Sequence, residues 1–157
     1  MKSKFSINKL FLIVAILFFT GCGGDSDDPI NVKPPVATTL AGDYTGSWSS
    51  TTPSETFSGV PVSARLTANA QETTLSGSFF ISSNFVPCCG TTNDGTIRIN
   101  VDGNTITSFT YADAIPGCTG NFSGTGEINN NTKALVIDFT GTDCDGDHVG
   151  ELVLSKS

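Results

Sequence analysis

The chain has 157 residues, with eight basic and fifteen acidic side chains, 38% hydrophobic residues and five cysteines. The excess of negative charge argues against nucleic acid as a partner, because phosphate binding needs clustered Lys and Arg, and against peripheral attachment to anionic lipid. The length suits one domain after a short leader.

The N-terminal segment has the layout of a secretory signal peptide. Lys2, Lys4 and Lys9 precede ten unbroken apolar residues from Leu10 to Phe19. A helix of that length rises only about 15 Å, half of the roughly 30 Å hydrocarbon layer, so it is too short for a permanent membrane span. The segment is therefore predicted to direct export.

The residues that follow, Phe19-Thr20-Gly21-Cys22, resemble the lipobox of bacterial lipoproteins, although Leu is usual where Phe19 stands. In that family the cysteine is acylated and becomes the first residue after cleavage. The resemblance implies a signal peptide over 1–21, lipidation of Cys22 and a membrane partner bound through that lipid. It also implies a location in the bacterial cell envelope, expected at the outer membrane, on its periplasmic face or at the cell surface.

Residues 22–41 are predicted to be a flexible acidic linker. The stretch contains three prolines and few large apolar residues, a composition typical of linkers. With the signal peptide removed, five basic and fifteen acidic side chains remain, a net charge of −10.

Residues 42–157 are predicted to form a single all-β domain, because period-2 alternation recurs between turn signals. Eight strands are expected near 42–49, 59–67, 74–82, 95–101, 104–112, 118–128, 133–143 and 147–156. Eight sequential antiparallel strands with short links favour an up-and-down meander that closes into a small barrel, with a β-sandwich as the alternative.

The turn sequences predict strand register. Asp102-Gly103-Asn104 and Asp145-Gly146 are hairpin signals, and Asn130-Asn131 is a softer one. A two-residue loop at Asp145-Gly146 sets Phe139 opposite Leu152, and closure at Asn130-Asn131 sets Phe122 opposite Phe139.

Four cysteines remain beside Cys22, an even number in an exported protein, which predicts disulfides. In the meander, Cys88, Cys89, Cys118 and Cys144 all fall in links at one end of the barrel. The favoured pairing joins Cys88 and Cys89 each to Cys118 or Cys144. The alternative pairs Cys118 with Cys144 and leaves a vicinal Cys88–Cys89 bond.

No residue is predicted to be catalytic, and no cofactor is expected. His148, the one histidine, is expected beside Asp143 as an ion pair at the rim, and no Gly-x-Ser-x-Gly elbow supplies a nucleophile. Asp143, Asp145 and Asp147 suggest a calcium loop, but their spacing does not match an EF-hand. A tight acidic hairpin without metal is therefore favoured.

Gly46-Ser47-Trp48 at the first strand, followed by a meander, resembles the calycin group of lipocalins and avidins. The resemblance implies a barrel that binds a small apolar or amphipathic molecule, with Trp48, Tyr44, Phe85 and His148 as candidate ligand or rim residues. Biotin is not implied, because avidins use several tryptophans to enclose it. Inward-facing glycines either leave a cavity or let the strands bend at barrel corners. The alternative function is a non-enzymatic module that docks another envelope protein through rim loops that include Phe85 and Val86.

Overall fold

The computed structural model describes residues 37–157, apart from the side chain of Thr38. The predicted signal peptide over 1–21, Cys22 and most of the predicted linker lie outside the described residues. Within the described part, no helix is both long enough and apolar enough to cross a membrane.

The described residues form a closed antiparallel β-barrel. Each strand pairs with the next along the chain, and the eighth returns to pair with the first. The predicted all-β meander barrel is thus confirmed over the alternative sandwich. A short helix, α1 (Ala37–Leu40), precedes the strands β1 (Gly42–Thr51), β2 (Thr56–Ala68), β3 (Thr74–Phe80), β4 (Gly95–Asp102), β5 (Thr105–Asp113), β6 (Asn121–Ile128), β7 (Leu135–Asp143) and β8 (Gly146–Lys156).

Alternate residues of each strand point into the barrel, because successive side chains of a strand point to opposite faces. In β4, for example, Ile97, Ile99 and Val101 are buried, whereas Thr96 and Arg98 are exposed. The inward aliphatic and aromatic side chains form one core. We name the end at which β1 begins the lower end, and the end that carries the 81–94 and 114–120 links the upper end.

Helix α1 belongs to the barrel. Ala37 and Leu40 are fully buried in the core. The Ala37 amide donates to the Glu72 carbonyl in the β2–β3 turn, at 3.0 Å. The predicted linker, which extended to residue 41, is therefore wrong for its last residues. The buried side chains of Ala37 and Leu40 close the lower end and so bury surface that the open barrel would expose to water.

The inward glycines allow close approach of strands. A Cβ on Gly77 would lie 1.7 Å from the Arg65 carbonyl oxygen, and a Cβ on Gly124 would lie 2.0 Å from that of Asp138. Gly46 and Gly126 meet neighbouring backbone in the same way. Of the two interpretations of these glycines, an open cavity beside them does not fit, because backbone of the neighbouring strand fills that space.

The predicted register is wrong by two residues in the last two hairpins. Phe139 lies opposite Gly150 and Gly124 in the structure. The β7–β8 loop consists of Cys144 and Asp145, because the Asp143 carboxylate accepts from the Asp145 amide at 2.8 Å and tightens the turn one residue early. The β6–β7 connection spans residues 129–134, longer than the predicted two-residue loop. A shift of two keeps every side chain on its predicted face.

Candidate functional site

A cavity of about 210 Å³ lies at the upper end of the barrel. We name it the rim cavity. Its walls combine aromatic, aliphatic and acidic side chains. The lining residues include Trp48, Phe57, Val60, Val62, Phe79, Ile81, Tyr111, Asp113, Ile115, Cys118, Phe122, Asp143, Asp145 and His148.

Aromatic rings in mutual contact make up much of the wall. The Trp48 ring lies edge-on to Phe122, with centroids 5.0 Å apart, and its centroid lies 3.8 Å from that of Phe139. Tyr111 stacks on Phe122 at 5.4 Å and also contacts Phe79 at 4.7 Å. Because each ring is held by others, the cavity has a preformed shape.

A chain of hydrogen bonds fixes one side of the cavity. Trp48 Nε1–H donates to Ser50 Oγ at 2.9 Å, and Ser50 Oγ lies 3.0 Å from His148 Nδ1. On the other side of the ring, His148 Nε2 lies 2.9 Å from Asp143 Oδ1. We name these four side chains the Trp48 network.

The Trp48 network can be satisfied throughout with a neutral histidine. The indole N–H occupies a lone pair of Ser50 Oγ, so the serine hydroxyl can donate to His148 Nδ1, and Nε2–H then donates to Asp143. The imidazole is only 4% exposed and stacks on Phe57 at 5.5 Å. The predicted contact of His148 with Asp143 is present, and the imidazole that makes it is buried in the wall of the rim cavity.

Sequence reasoning missed Ser50. A hydroxyl, an imidazole and a carboxylate stand in a row, as in acyl-transfer enzymes. Ser50 is nevertheless only 4% exposed, its Oγ is held between the indole and the imidazole, and it lines a depression on the outer side of the barrel and not the rim cavity. In this position the hydroxyl orients the two rings. Ser50 could have been identified from the closure of the barrel, because pairing of β1 with β8 sets Ser50 opposite Gly150, two residues from His148.

Acidic side chains surround the mouth of the rim cavity. Asp113 ends β5, Asp143 ends β7 and Asp145 lies in the next turn. Burial raises the pKa of Asp113 above its usual range, and the Asp143 carboxylate raises it further. The hydrogen bond that Asp113 accepts from the Ile115 amide lowers this pKa and so opposes part of the rise. Burial also raises the pKa of Tyr111, with additional contributions from Asp113 and Asp94.

Two of the candidate ligand residues lie elsewhere. Tyr44 is fully buried at the lower end, where its hydroxyl donates to the Leu40 carbonyl at 2.5 Å, and burial raises its pKa to about 12. Phe85 packs on the outer face of the barrel, with the Arg65 guanidinium 4.8 Å from its ring centroid and Phe80 at 6.2 Å. Tyr44 therefore closes the barrel, and Phe85 holds a loop against it.

Asp94 holds the same loop from inside and was not predicted. Its side chain is completely buried, and its carboxylate accepts from the amides of Ile81 at 2.7 Å and Cys88 at 2.9 Å. The Phe85 amide donates to Ser63 Oγ on β2 at 3.0 Å. Residues 81–94 are thus held against β2 and β3.

The favoured disulfide pairing is wrong, and the alternative is present. Cys118 is bonded to Cys144, with Cα atoms 4.8 Å apart, and Cys88 is bonded to Cys89. Cys118 and Cys144 flank the neighbouring strands β6 and β7, whereas the 81–94 loop is anchored on β2 and β3. Alternation could not orient Cys118, because it precedes the first residue of β6.

The three aspartates of the suggested calcium loop do not converge. Asp143 contacts His148, whereas the exposed Asp147 accepts from Thr142 Oγ1 at 2.8 Å. Ligand atoms of Cys118, Asp143, Cys144 and Asp145 lie within 4.8 Å of one another. The two sulfurs are joined to each other, however, and the thiolate is the form of cysteine that binds metal.

A larger depression of about 960 Å³ lies on the outer side of the barrel. It is broad and open, and serine and threonine side chains such as Ser108, Ser123 and Thr140 line much of it. Small ligands bind in concave sites that enclose most of their surface. The rim cavity is therefore the better candidate.

No protein-family model and no curated protein matches the chain. Among solved structures, the chain is similar to the crystal structure of a rhizavidin–biotin complex, with a TM-score of 0.43 and 17% sequence identity. The match covers 72% of this chain and 99% of that chain.

Proposed function

We propose that this protein is a non-enzymatic lipoprotein of the bacterial envelope, anchored through Cys22, whose barrel binds a small molecule in the rim cavity. One observation carries the proposal of binding. The cavity has preformed aromatic walls, and the Trp48 network holds one of them by hydrogen bonds at 2.9–3.0 Å. A site whose shape exists before binding spends less free energy on ordering its side chains.

The volume limits the size of the ligand. The rim cavity has a volume of about 210 Å³. Sites for drug-sized ligands occupy about 300–1,000 Å³. The ligand of the rim cavity is therefore a small molecule with an apolar body that contacts the aromatic walls.

Binding can be followed through Trp48, because it is the one tryptophan in the sequence. Phenol, indoline and cyclohexanol are titrated into the full-length protein in detergent, and Trp48 fluorescence is recorded. We expect saturable quenching by at least one probe. The Val60→Phe variant, which places a ring in the cavity, should abolish it, whereas Val149→Phe, at a position that is 63% exposed, should not.

Two results would contradict binding in the rim cavity. One is that no probe produces saturable quenching at millimolar concentration. The other is that Val60→Phe binds as tightly as the parent protein while its circular dichroism is unchanged.

The proposed anchor has a separate test. Cells that express the full-length protein are labelled with radioactive palmitate, and the membrane fraction is isolated. The parent protein should carry label and sediment with membranes, and Cys22→Ala should lose both properties. Equal labelling of the two proteins would refute lipidation at Cys22.

A further inference from the structure

We propose that the rim cavity selects small organic cations, such as quaternary or primary ammonium compounds. This inference rests on the proposed function, since it concerns which ligand the same cavity takes. It starts from the distribution of charge. The carboxylates of Asp113, Asp143 and Asp145 line the cavity, and no Lys or Arg of the described residues does.

The basic side chains of residues 37–157 are placed elsewhere. Arg65 lies on the outer face against Phe85, and Arg98 is exposed on the outer face of β4. Lys133 lies in the β6–β7 connection at the lower end, and Lys156 Nζ donates to the Thr39 carbonyl at the same end. No Lys or Arg of the described part neutralises the carboxylates that line the cavity.

The carboxylates retain capacity for a ligand. Asp143 Oδ1 contacts His148 and the Asp145 amide, and Asp113 Oδ1 accepts from the Ile115 amide at 2.8 Å. A carboxylate offers about four lone-pair positions, so each group can accept further hydrogen bonds. Burial raises the pKa of Asp113, and repulsion from the Asp143 and Asp94 carboxylates adds to that rise. A bound cation would relieve that repulsion.

The aromatic walls favour the same class of ligand. Trp48, Phe57, Tyr111 and Phe122 all line the cavity. Ring faces attract cations electrostatically, and aromatic enclosures recognise quaternary ammonium groups. An anionic ligand would instead meet three carboxylates. The walls and the mouth therefore discriminate by charge in the same direction.

The test compares three probes whose bulky head groups have the same shape but whose net charges differ. Choline is the cation, 3,3-dimethylbutan-1-ol is its neutral counterpart, and 3,3-dimethylbutanoate is the anion. Each is titrated into the full-length protein at low salt, and Trp48 fluorescence is recorded. We expect choline to bind about tenfold more tightly than the alcohol, and the anion to bind more weakly than both. The preference for choline should decrease at high ionic strength.

Two aspartate variants locate the effect. Asp145→Asn removes one charge at the mouth from an exposed turn residue and should reduce the preference for choline about threefold. Asp138→Asn removes the same charge from the exposed outer face of β7 and should leave the preference unchanged.

Equal binding of choline and the alcohol would overturn the selectivity and leave the proposed function standing. If none of the three probes binds, the selectivity is also overturned, and the neutral panel described above decides the proposed function independently. An equal effect of Asp138→Asn and Asp145→Asn would show that only the overall charge matters, which contradicts recognition at the mouth.

Discussion

Removing the hydroxyl of Ser50 tests the Trp48 network most directly. Ser50→Ala leaves two groups without their partner, the part-buried indole N–H of Trp48 at 2.9 Å and the buried Nδ1 of His148 at 3.0 Å. An unsatisfied polar group away from water costs about 1–3 kcal/mol, so the expected loss of unfolding free energy for the two groups is about 2–6 kcal/mol. A loss of about 3 kcal/mol lowers Tm by about 12 °C in a domain of this size.

The assay is thermal and urea unfolding of the full-length protein, followed by circular dichroism. Ser47→Ala is the matched control, because Ser47 lies on the same strand, three residues away, and its side chain makes no hydrogen bond to any residue within 37–157, the part that the structure describes. It should change the free energy of unfolding by less than about 0.5 kcal/mol.

A double-mutant cycle separates this effect from simple loss of packing. Trp48→Phe removes the indole donor, so in the double variant Ser50→Ala leaves only His148 unpaired. The double variant should be more stable than additivity predicts, by about 1–2 kcal/mol. A change below about 0.5 kcal/mol for Ser50→Ala, or strict additivity in the cycle, would refute the network as an element of stability.

Three further predictions concern the barrel. Gly124→Ala should destabilise the protein by about 3 kcal/mol in urea unfolding, because the added Cβ meets the backbone of the next strand. Ser123→Ala, on the outer face of the same strand, should be nearly neutral. Equal effects of the two variants would contradict the close approach of β7 to Gly124. Loss of the Cys118–Cys144 bond, whose cysteines are 26 residues apart, should lower the free energy of unfolding by about 3.5 kcal/mol. Non-reducing peptide mapping should recover this pair and an internal Cys88–Cys89 bond. Any disulfide that joins one pair to the other would refute the assignment. Both tyrosines have raised pKa values, one of them about 12, so their contribution to stability is present below the ordinary tyrosine pKa and is lost as the pH rises through the folded values. Absorbance at 295 nm should stay flat through pH 10 while the protein is folded, and a tyrosine step there with unchanged circular dichroism would contradict their burial.

The fold could be predicted from the sequence because apolar and polar residues alternate within each strand and the turns contain Gly, Asn and Asp. Gly103 shows this well, since the Gly103-Asn104 loop closes β4 onto β5 as expected. Register was harder to predict. In the β7–β8 hairpin a side-chain hydrogen bond from Asp143 moved the loop by one residue, a contact that no alternation pattern records.

The site was only partly accessible. Trp48 and His148 were predicted, because a tryptophan within the first strand and the one histidine are conspicuous. Ser50 and Asp94 were not, since each acts through partners distant in sequence: Ser50 reaches His148, 98 residues later, and Asp94 binds amides of its own loop. The disulfides were mispaired because the path of the 81–94 loop depends on Asp94 and Phe85.

The closed lower end offers a site for attaching the protein to a surface. The chain enters the barrel there through α1, and the Ser157 amide returns to the same end, where it donates to the Asp43 carbonyl at 2.9 Å. A biotin tag, a bead linkage or a sensor-chip coupling placed before residue 37 or after Ser157 would thus hold every molecule in one orientation, with the rim cavity facing the flowing sample.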